Sequence, residues 1–125
     1  MLYTLFLHYP EMTQEALGPE ALQQGMQAFD SYARQLEMAG VLISADVLQP
    51  VATATTVTMR NGALHVQDGP FADTKEQLGG TFVLDLPDLD SALAWAEKAP
   101  SVQWGTVEIR PSAMRFVDGA WTPSA

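Results

Sequence analysis

The chain has 125 residues, 47% of them hydrophobic, which is typical of one domain with one hydrophobic core. Its 15 acidic and 6 basic residues give a formal net charge of −9, which repels nucleic-acid phosphates and anionic lipid headgroups, so we expect neither nucleic acid nor membrane as a partner. There is no cysteine, which excludes disulfides, a thiolate nucleophile and cysteine-ligated metals.

The first segment predicts a strand that is buried on both faces. Residues 2–9 are apolar at every odd position, whereas Thr4 and His8 interrupt the even positions. The apolar run has no basic leader and ends at Pro10, too short for a signal core or a membrane span. We therefore expect a cytoplasmic location.

Gly18 and Pro19 predict the start of a helix, with proline in its first turn. Apolar residues then recur at steps of three and four, namely Leu22, Met26, Phe29, Ala33 and Leu36. Gly40 is typical of a left-handed residue that ends a helix. Gly25, inside the helix, indicates close packing against a neighbouring strand.

Two further segments follow before the middle of the chain. Residues 41–48 predict a second strand, in which one face carries Leu42, Ser44, Asp46 and Leu48. Residues 53–60 and 63–67 flank Asn61 and Gly62, a strong signal for a type I′ hairpin. We interpret this pair of strands as a hairpin added to the main sheet.

The second half repeats the strand and helix pattern. Residues 73–76 fit a capping box, in which Asp73 caps a short helical turn and Glu76 reaches back to it. Residues 81–86 alternate as a strand, and Asp88 then predicts the N-cap of a helix that Pro100 ends. The expected apolar stripe of this helix is Leu89, Leu93 and Ala96.

Residues 106–110 form the last clear strand in the pattern. We assign residues 1–117 to a single domain and expect residues 118–125 to be a short, frayed tail.

The resulting order is strand, helix, strand, hairpin, strand, helix, strand. It is the split βαβ of a ferredoxin-like α+β fold, with two helices on one face of an antiparallel sheet. The opposite face keeps the apolar residues Leu2, Phe6 and Val83, so we expect a second copy of the chain to cover it, forming a homodimeric α/β barrel. Six polar residues are expected to line the enclosed pocket: Thr4, His8, Thr81, Thr106, Glu108 and Arg110. Ser44 and Asp46 join them unless a bulge turns them away.

Residues 68–80 read DGPFADTKEQLGG, which resembles the signature of the DGPF-domain branch of the YCII-related proteins. The resemblance extends upstream through residues 48–57 and downstream through Trp95 to residues 107–111, so it covers nearly the whole chain from Tyr3 to Pro111.

The resemblance implies a dimeric α+β barrel related to muconolactone isomerase, with a largely unassigned activity. Some relatives are similar to enzymes that use a histidine on the first helix and an aspartate after the second. Here the first helix holds Phe29 and Tyr32, and the second ends at Lys98, so that pair is not carried over. The resemblance also implies a regulatory setting, because members of the branch resemble proteins encoded beside, or fused to, alternative sigma factors.

His8 and Asp46 are the candidate catalytic residues. An imidazole at a strand end can take or give a proton near neutral pH, and the alternative is a structural histidine bonded to a neighbour. Asp46 could accept a proton or orient His8 if their strands are adjacent, and it could equally be a strand-end carboxylate satisfied by turn amides. His65, in the hairpin, is interpreted as an exposed surface residue.

Four residues are candidates for ligand binding: Arg110, Glu108, Lys75 and Asp68. Glu108 and Arg110 share a face, so the guanidinium could clamp a small anionic molecule, or the two could form an ion pair at a subunit boundary. Lys75, in the signature run that Asp68 begins, could bind an anion or cross the dimer interface. Trp95 and Trp104 are interpreted as core or interface aromatics.

The leading hypothesis is a cofactor-free enzyme of isomerase, lyase or dehalogenase type that transfers protons in the barrel pocket. We find no glycine-rich nucleotide loop, serine elbow or metal-ligand spacing, so no cofactor and no metal site are predicted. The rival hypothesis is a ligand-sensing or protein-binding module without catalysis, linked to transcription through a sigma-factor partner. A purely structural dimer is disfavoured because polar side chains are predicted to point inward.

Overall fold

A computed structural model describes residues 1–11 and 14–124. The strands are β1 Leu2–Tyr9, β2 Leu42–Val47, β3 Thr55–Arg60, β4 Ala63–Asp68, β5 Gln77–Asp85, β6 Thr106–Pro111, β7 Met114–Val117 and β8 Ala120–Pro123. The α-helices are α1 Gln14–Leu17, α2 Pro19–Met38 and α3 Leu89–Glu97, and single 3-10 turns lie at Val51–Thr53 and Pro100–Gln103.

The main sheet has four strands in the order β2-β5-β1-β6, and every neighbouring pair is antiparallel. This order arises because each helix connects two strands that another strand separates. The predicted α+β class is confirmed, and the sheet is compatible with a ferredoxin-like fold. Within the described part of the chain, strands β3 and β4 pair only with each other, as expected for an added hairpin.

The core lies between one face of the sheet and the helices. Odd-numbered residues of β1 and even-numbered residues of β5 from Gly80 onward point into it, as their alternation predicts, whereas a register shift places Leu78 opposite His8 on the other face. The buried cluster comprises Tyr3, Leu5, Leu7, Tyr32, Leu36, Phe82, Leu84, Leu86, Ala92, Ala96 and Ala99. Burying each large apolar side chain stabilises the fold by roughly 1.5–3 kcal/mol.

Helix α2 begins and ends where the sequence predicts. Gly18 has φ 82° directly before Pro19, and Gly40 has φ 75° after the last turn. Tyr32 is the buried residue that the apolar stripe missed: its hydroxyl donates to the carbonyl oxygen of Trp95 at 2.7 Å. Burial raises the pKa of Tyr32 to about 12. Met26, predicted to lie in the stripe, is exposed instead.

The prediction for Gly25 is wrong. Among the atoms of residues 1–11 and 14–124, a Cβ atom added at this position would meet none within 4 Å beyond its own helix, so no described strand packs against it.

Helix α3 is capped as predicted, but it buries another face. The Asp88 carboxylate accepts from the backbone N–H of Ser91 at 2.8 Å. Of the predicted stripe, Ala96 is buried as expected, but Leu89 and Leu93 are half exposed and Ala92 is buried instead. Small alanines allow the helix backbone to approach the sheet closely, so they form the contact face.

The predicted capping box at residues 73–76 is also wrong, since residues 70–76 contain no helix. The Thr74 hydroxyl donates to the carbonyl oxygen of Glu76 at 2.6 Å, which closes a local turn. The Glu76 carboxylate accepts from the Thr106 hydroxyl at 2.7 Å, so it is directed toward β6 rather than back toward Asp73.

The end of the chain has more regular structure than expected. Strands β7 and β8 form a hairpin in place of a frayed segment, with Asp118 (φ 51°) and Gly119 (φ 80°) in the turn. The Ser124 hydroxyl accepts from the backbone N–H of Leu2 at 3.1 Å, which ties this segment to the start of β1. The Asp-Gly pair is itself a type I′ turn signal, which the expectation of a frayed tail overlooked.

Candidate functional site

The sheet face opposite the core carries the polar residues that the sequence pattern grouped together. Phe6 on β1 pairs with Thr81 and with Glu108, and His8 pairs with Thr106. Because paired residues of an antiparallel sheet share a face, the strand register places six predicted positions on this open face. They are Thr4, His8, Thr81, Thr106, Glu108 and Arg110.

A bulge in β2 decides where its polar residues lie. Leu42 pairs with Leu84, which is buried, but the register shifts before Ser44, which pairs with Val83. Ser44 and Asp46 therefore lie on the open face, while Leu42 lies on the core side. The prediction that Leu42 shares their face is wrong, because an extra residue in a strand reverses the alternation.

Asp46 and His8 do not form a pair. Strand β5 lies between β2 and β1, which separates the two backbones by about 10 Å at the usual strand spacing. Within the described residues, the Asp46 carboxylate has no hydrogen-bond partner, so the turn amides proposed as an alternative do not satisfy it either. An orienting contact from Asp46 to His8 required adjacent strands, and that condition is not met.

The partner of His8 is Glu108 on the other neighbouring strand. The distance from His8 Nε2 to Glu108 Oε1 is 3.4 Å, and Arg110 Nε donates to the other carboxylate oxygen, Oε2, at 2.9 Å. The hydrogen bond from Arg110 and, to a smaller extent, the contact with His8 hold the pKa of Glu108 below its usual value. Glu108 thus stays ionised between two groups that can carry positive charge.

His8 and Glu108 line a cleft of about 930 Å³, which we call the His8 cleft. Its walls come from the end of β1, the starts of β5 and β6, the 3-10 turn after β2 and the loop after β4. The lining residues are His8, Leu48, Gln49, Pro50, Val51, Thr53, Ala54, Pro70, Phe71, Ala72, Thr74, Glu76, Gln77, Leu78, Thr106 and Glu108.

Glu76 is the lining residue that sequence reasoning assigned to another role. Its carboxylate accepts from Thr106, which pairs with His8 in the sheet. The signal that could have found it is positional. Since β5 runs antiparallel to β1, the residue just before β5 must lie near the end of β1, where His8 is.

The other predicted ligand-binding residues do not line this cleft. Lys75 is exposed, and Asp68 ends β4 on the hairpin. Arg110 is also exposed and contacts Glu108. The structure therefore brings together His8, Glu108, Glu76 and Thr106, and it assembles no cationic clamp from Arg110 and Lys75.

The remaining candidate residues either pack against other side chains or lie exposed on the surface. Trp104 packs edge-on against Tyr9, with ring centroids 5.4 Å apart, and Trp95 packs on the core with Lys98 over its ring. His65 lies exposed on the hairpin, as predicted.

Two further features limit what else the described part of the chain could hold. Across residues 1–11 and 14–124, no three His, Cys, Asp or Glu side chains lie close enough together to hold a metal ion. In the same residues, no helix combines the length and the apolar character needed to cross a bilayer.

Comparison with known proteins places the chain in a family. Residues 1–113 match the YCII-related domain. An uncharacterized protein of Rhizobium meliloti (strain 1021) is 34% identical over 116 residues, which cover 91% of this chain and 94% of that protein. Both matches span nearly the whole chain, and the chain therefore belongs to the YCII-related family.

Proposed function

We propose that this protein is a small-molecule enzyme that transfers a proton in the His8 cleft, with His8 as the acid and base. The observation that carries the proposal is the contact of 3.4 Å between His8 Nε2 and Glu108 Oε1 at the cleft wall. An imidazole beside a carboxylate can take a proton from a substrate, because the carboxylate stabilises the imidazolium that forms.

Glu108 is the orienting group in this proposal, in place of Asp46. The lowered pKa of its carboxyl keeps it negatively charged, and the hydrogen bond from Arg110 fixes one of its two oxygens. The other oxygen then faces His8. This arrangement needs no cofactor, and it fits a reaction of isomerase, lyase or dehalogenase type, in which a C–H proton is removed or replaced.

The cleft has the size and lining that such a substrate needs. Small-molecule sites are commonly about 300–1,000 Å³ and mostly apolar, with a few polar groups that fix orientation. The walls of the His8 cleft are largely aliphatic and aromatic, with Pro50, Val51, Phe71 and Leu78 among them. The polar groups collect where β1 meets β6.

A homodimer is part of the proposal. The open face of the sheet carries Phe6 and Val83, both only partly buried in a single chain. A second copy would cover this face and remove water from around His8. The Asp-Gly-Pro-Phe run at residues 68–71 supports membership of the DGPF branch, and Phe71, which is 88% exposed, lines the cleft.

Hydrogen–deuterium exchange tests the function while the substrate is still unidentified. A panel of lactones, carbonyl compounds and halogenated acids with acidic C–H protons is incubated with the protein in D₂O and followed by ¹H NMR. We expect exchange in at least one compound, slowed about 100-fold or more in His8→Ala. His65→Ala, on the exposed hairpin, is the matched control and should exchange at the wild-type rate. Equal rates in His8→Ala and wild type would contradict the proposal.

One observation favours a second candidate, a protein-binding module that acts through a sigma-factor partner. Val57 pairs with Val66 and Met59 with Leu64, so the hairpin presents four apolar side chains that are each about 60% exposed. Such patches mark protein interaction sites. A purified sigma factor from the same host should bind the wild type and lose affinity for Val57→Lys. If the wild type and Val57→Lys bind the sigma factor equally well, or if neither binds it, this hairpin face is not the binding site.

A further inference from the structure

The geometry points to a ligand that carries a protonated amine, and not a carboxylate, at the polar end of the His8 cleft. This inference rests on the proposed function, since it names the class of substrate for the same site. It also reverses the expectation of a small anionic molecule that the sequence suggested through Arg110 and Lys75.

The charges of the cleft wall carry the argument. Its ionisable residues are His8, Glu76 and Glu108, and no lysine or arginine is among the lining residues. The pKa of Glu108 is lowered by its bond from Arg110, so this carboxylate is negative at neutral pH. A ligand at this end of the cleft therefore meets two acidic side chains and one histidine.

Both carboxylates are held in place rather than free to turn away. Glu76 accepts from the Thr106 hydroxyl at 2.7 Å, and Glu108 accepts from Arg110 Nε at 2.9 Å. A third carboxylate, Glu11, accepts at 2.6 Å from the backbone N–H of Val51, which lines the cleft. The exposed Arg110 side chain offsets part of the charge of Glu108 through their ion pair, whereas the Glu76 carboxylate forms no ion pair within residues 1–11 and 14–124.

The rest of the cleft wall favours a ligand with an apolar hydrocarbon portion. Leu48, Pro50, Val51, Phe71 and Leu78 supply apolar surface that a ring or an alkyl chain can cover. A ligand with an apolar body and one ammonium group would pair its charge with Glu76 or Glu108. A ligand carboxylate in the same place would be repelled by both, in a chain whose overall charge is −9.

Three matched probes test the inference. These are 2-phenylethylamine, 2-phenylethanol and 3-phenylpropionate, which share a phenyl ring and differ in the charge at the end of a short chain. Each is titrated into the ¹⁵N-labelled full-length protein at pH 7 and low salt, and binding is read from amide shifts of the cleft residues. We expect the amine to bind about 5-fold more tightly than the alcohol and the carboxylate to bind more weakly than either.

Charge-removing variants assign the effect to the cleft. Glu76→Gln and Glu108→Gln should each weaken binding of the amine about 5-fold, and should narrow its preference over the carboxylate. Glu97→Gln, an exposed glutamate on α3 away from the cleft, is the matched control for net charge and should leave the preference unchanged.

The failures are distinguishable. Equal or tighter binding of 3-phenylpropionate would overturn the amine inference but would keep the cleft as a ligand site. Amine binding that Glu76→Gln and Glu108→Gln leave unchanged would also overturn it. No shift of cleft amides with any probe would overturn the inference, whereas the deuterium-exchange panel decides the proposed function.

Discussion

A single carboxylate organises the polar end of the cleft. Glu108 lies between the imidazole of His8 and the guanidinium of Arg110, with one oxygen directed to each. Because Arg110 makes the shorter contact, it contributes more than His8 to the lowered pKa of Glu108. Glu108 is two residues from Arg110 on β6, and His8 is on the neighbouring strand β1, so the pairing of β1 with β6 fixes how the three groups meet.

Removal of the guanidinium should raise the pKa of Glu108. In Arg110→Met the hydrogen bond and the favourable charge are both lost, so we expect the pKa of this carboxyl to move up toward its ordinary value. The measurement is a ¹³C NMR titration of the glutamate side-chain carboxyls. Arg34→Met, which breaks only the surface pair with Asp30, should leave Glu108 unchanged. An unchanged pKa of Glu108 in Arg110→Met would show that a group other than Arg110 lowers this pKa.

The same shift sets a pH dependence of stability. The folded-state pKa of Glu108 lies below its unfolded value, so its contribution is fully present above the unfolded pKa. It is lost as pH falls through the folded pKa. In Arg110→Met this part of the acid destabilisation should shrink, which acid titrations of the free energy of unfolding can detect.

At the scale of elements, glycine positions show where strands approach each other. Gly105 lies just before β6, and a Cβ atom there would collide with the backbone carbonyl oxygen of His8 and lie 2.8 Å from Tyr9 Cβ. Only a residue without a side chain lets β6 start beside the end of β1. The position of His8 in the cleft therefore depends on a glycine that directly precedes the neighbouring strand.

Two glycine substitutions should have opposite effects. Gly105→Ala should destabilise the protein by about 1–3 kcal/mol, since the backbone of β1 must shift to admit the methyl group. Gly25→Ala, where the added methyl meets nothing within 4 Å, should stabilise it by about 0.5–1 kcal/mol because alanine is the better helix former. Urea unfolding measures both. A destabilised Gly25→Ala would indicate a neighbour that covers this helix face.

Leucines of the two long helices should differ sharply in their contributions. Leu36→Ala should cost about 2–5 kcal/mol, since Leu36 is fully buried on α2. Leu93→Ala should change the free energy of unfolding by less than about 0.5 kcal/mol, since Leu93 is half exposed on α3. If Leu93→Ala strongly lowered the free energy of unfolding at every protein concentration, α3 would bury the leucine face that the sequence pattern predicted.

Particular residues show how much of the fold and of the candidate site could be predicted from the sequence. Period-two alternation located β1 and β5 and the shared face of His8 and Glu108, because strand geometry fixes that periodicity. It could not locate the bulge before Ser44, which depends on pairing with β5, nor the role of Glu76, which depends on a contact 30 residues away. The prediction that Leu89 and Leu93 of α3 lie in the core was wrong for a similar reason, because the helix face that packs on the sheet carries smaller side chains.

At the scale of the whole molecule, one sheet face and one hairpin face remain open in a single chain. Val83 lies at the centre of the open sheet face, paired with Thr4 and Ser44 on its two neighbours. A partner copy on this face would bury both its apolar and its polar residues. Assembly and the chemistry at His8 would then depend on each other.

The proposed homodimer is testable by sedimentation. We expect the wild type to sediment at twice the chain mass at micromolar concentration, and Val83→Asp to sediment as a monomer, because a carboxylate there would be buried without a partner. Val57→Asp, on the separate hairpin, is the control for added charge. Circular dichroism must show that both variants remain folded. A monomeric wild type would contradict the proposal.

The most direct test of the central claim, that His8 transfers the proton, is chemical rescue of His8→Ala by imidazole. With a compound found in the exchange panel, we expect its deuterium exchange to fall in this variant and to rise again with the concentration of added imidazole, since the cavity left by the side chain sits beside Glu108. The same imidazole should not accelerate the wild type. Exchange that is lost in His8→Ala and not restored by imidazole, or that is not lost at all, would contradict His8 as the proton carrier.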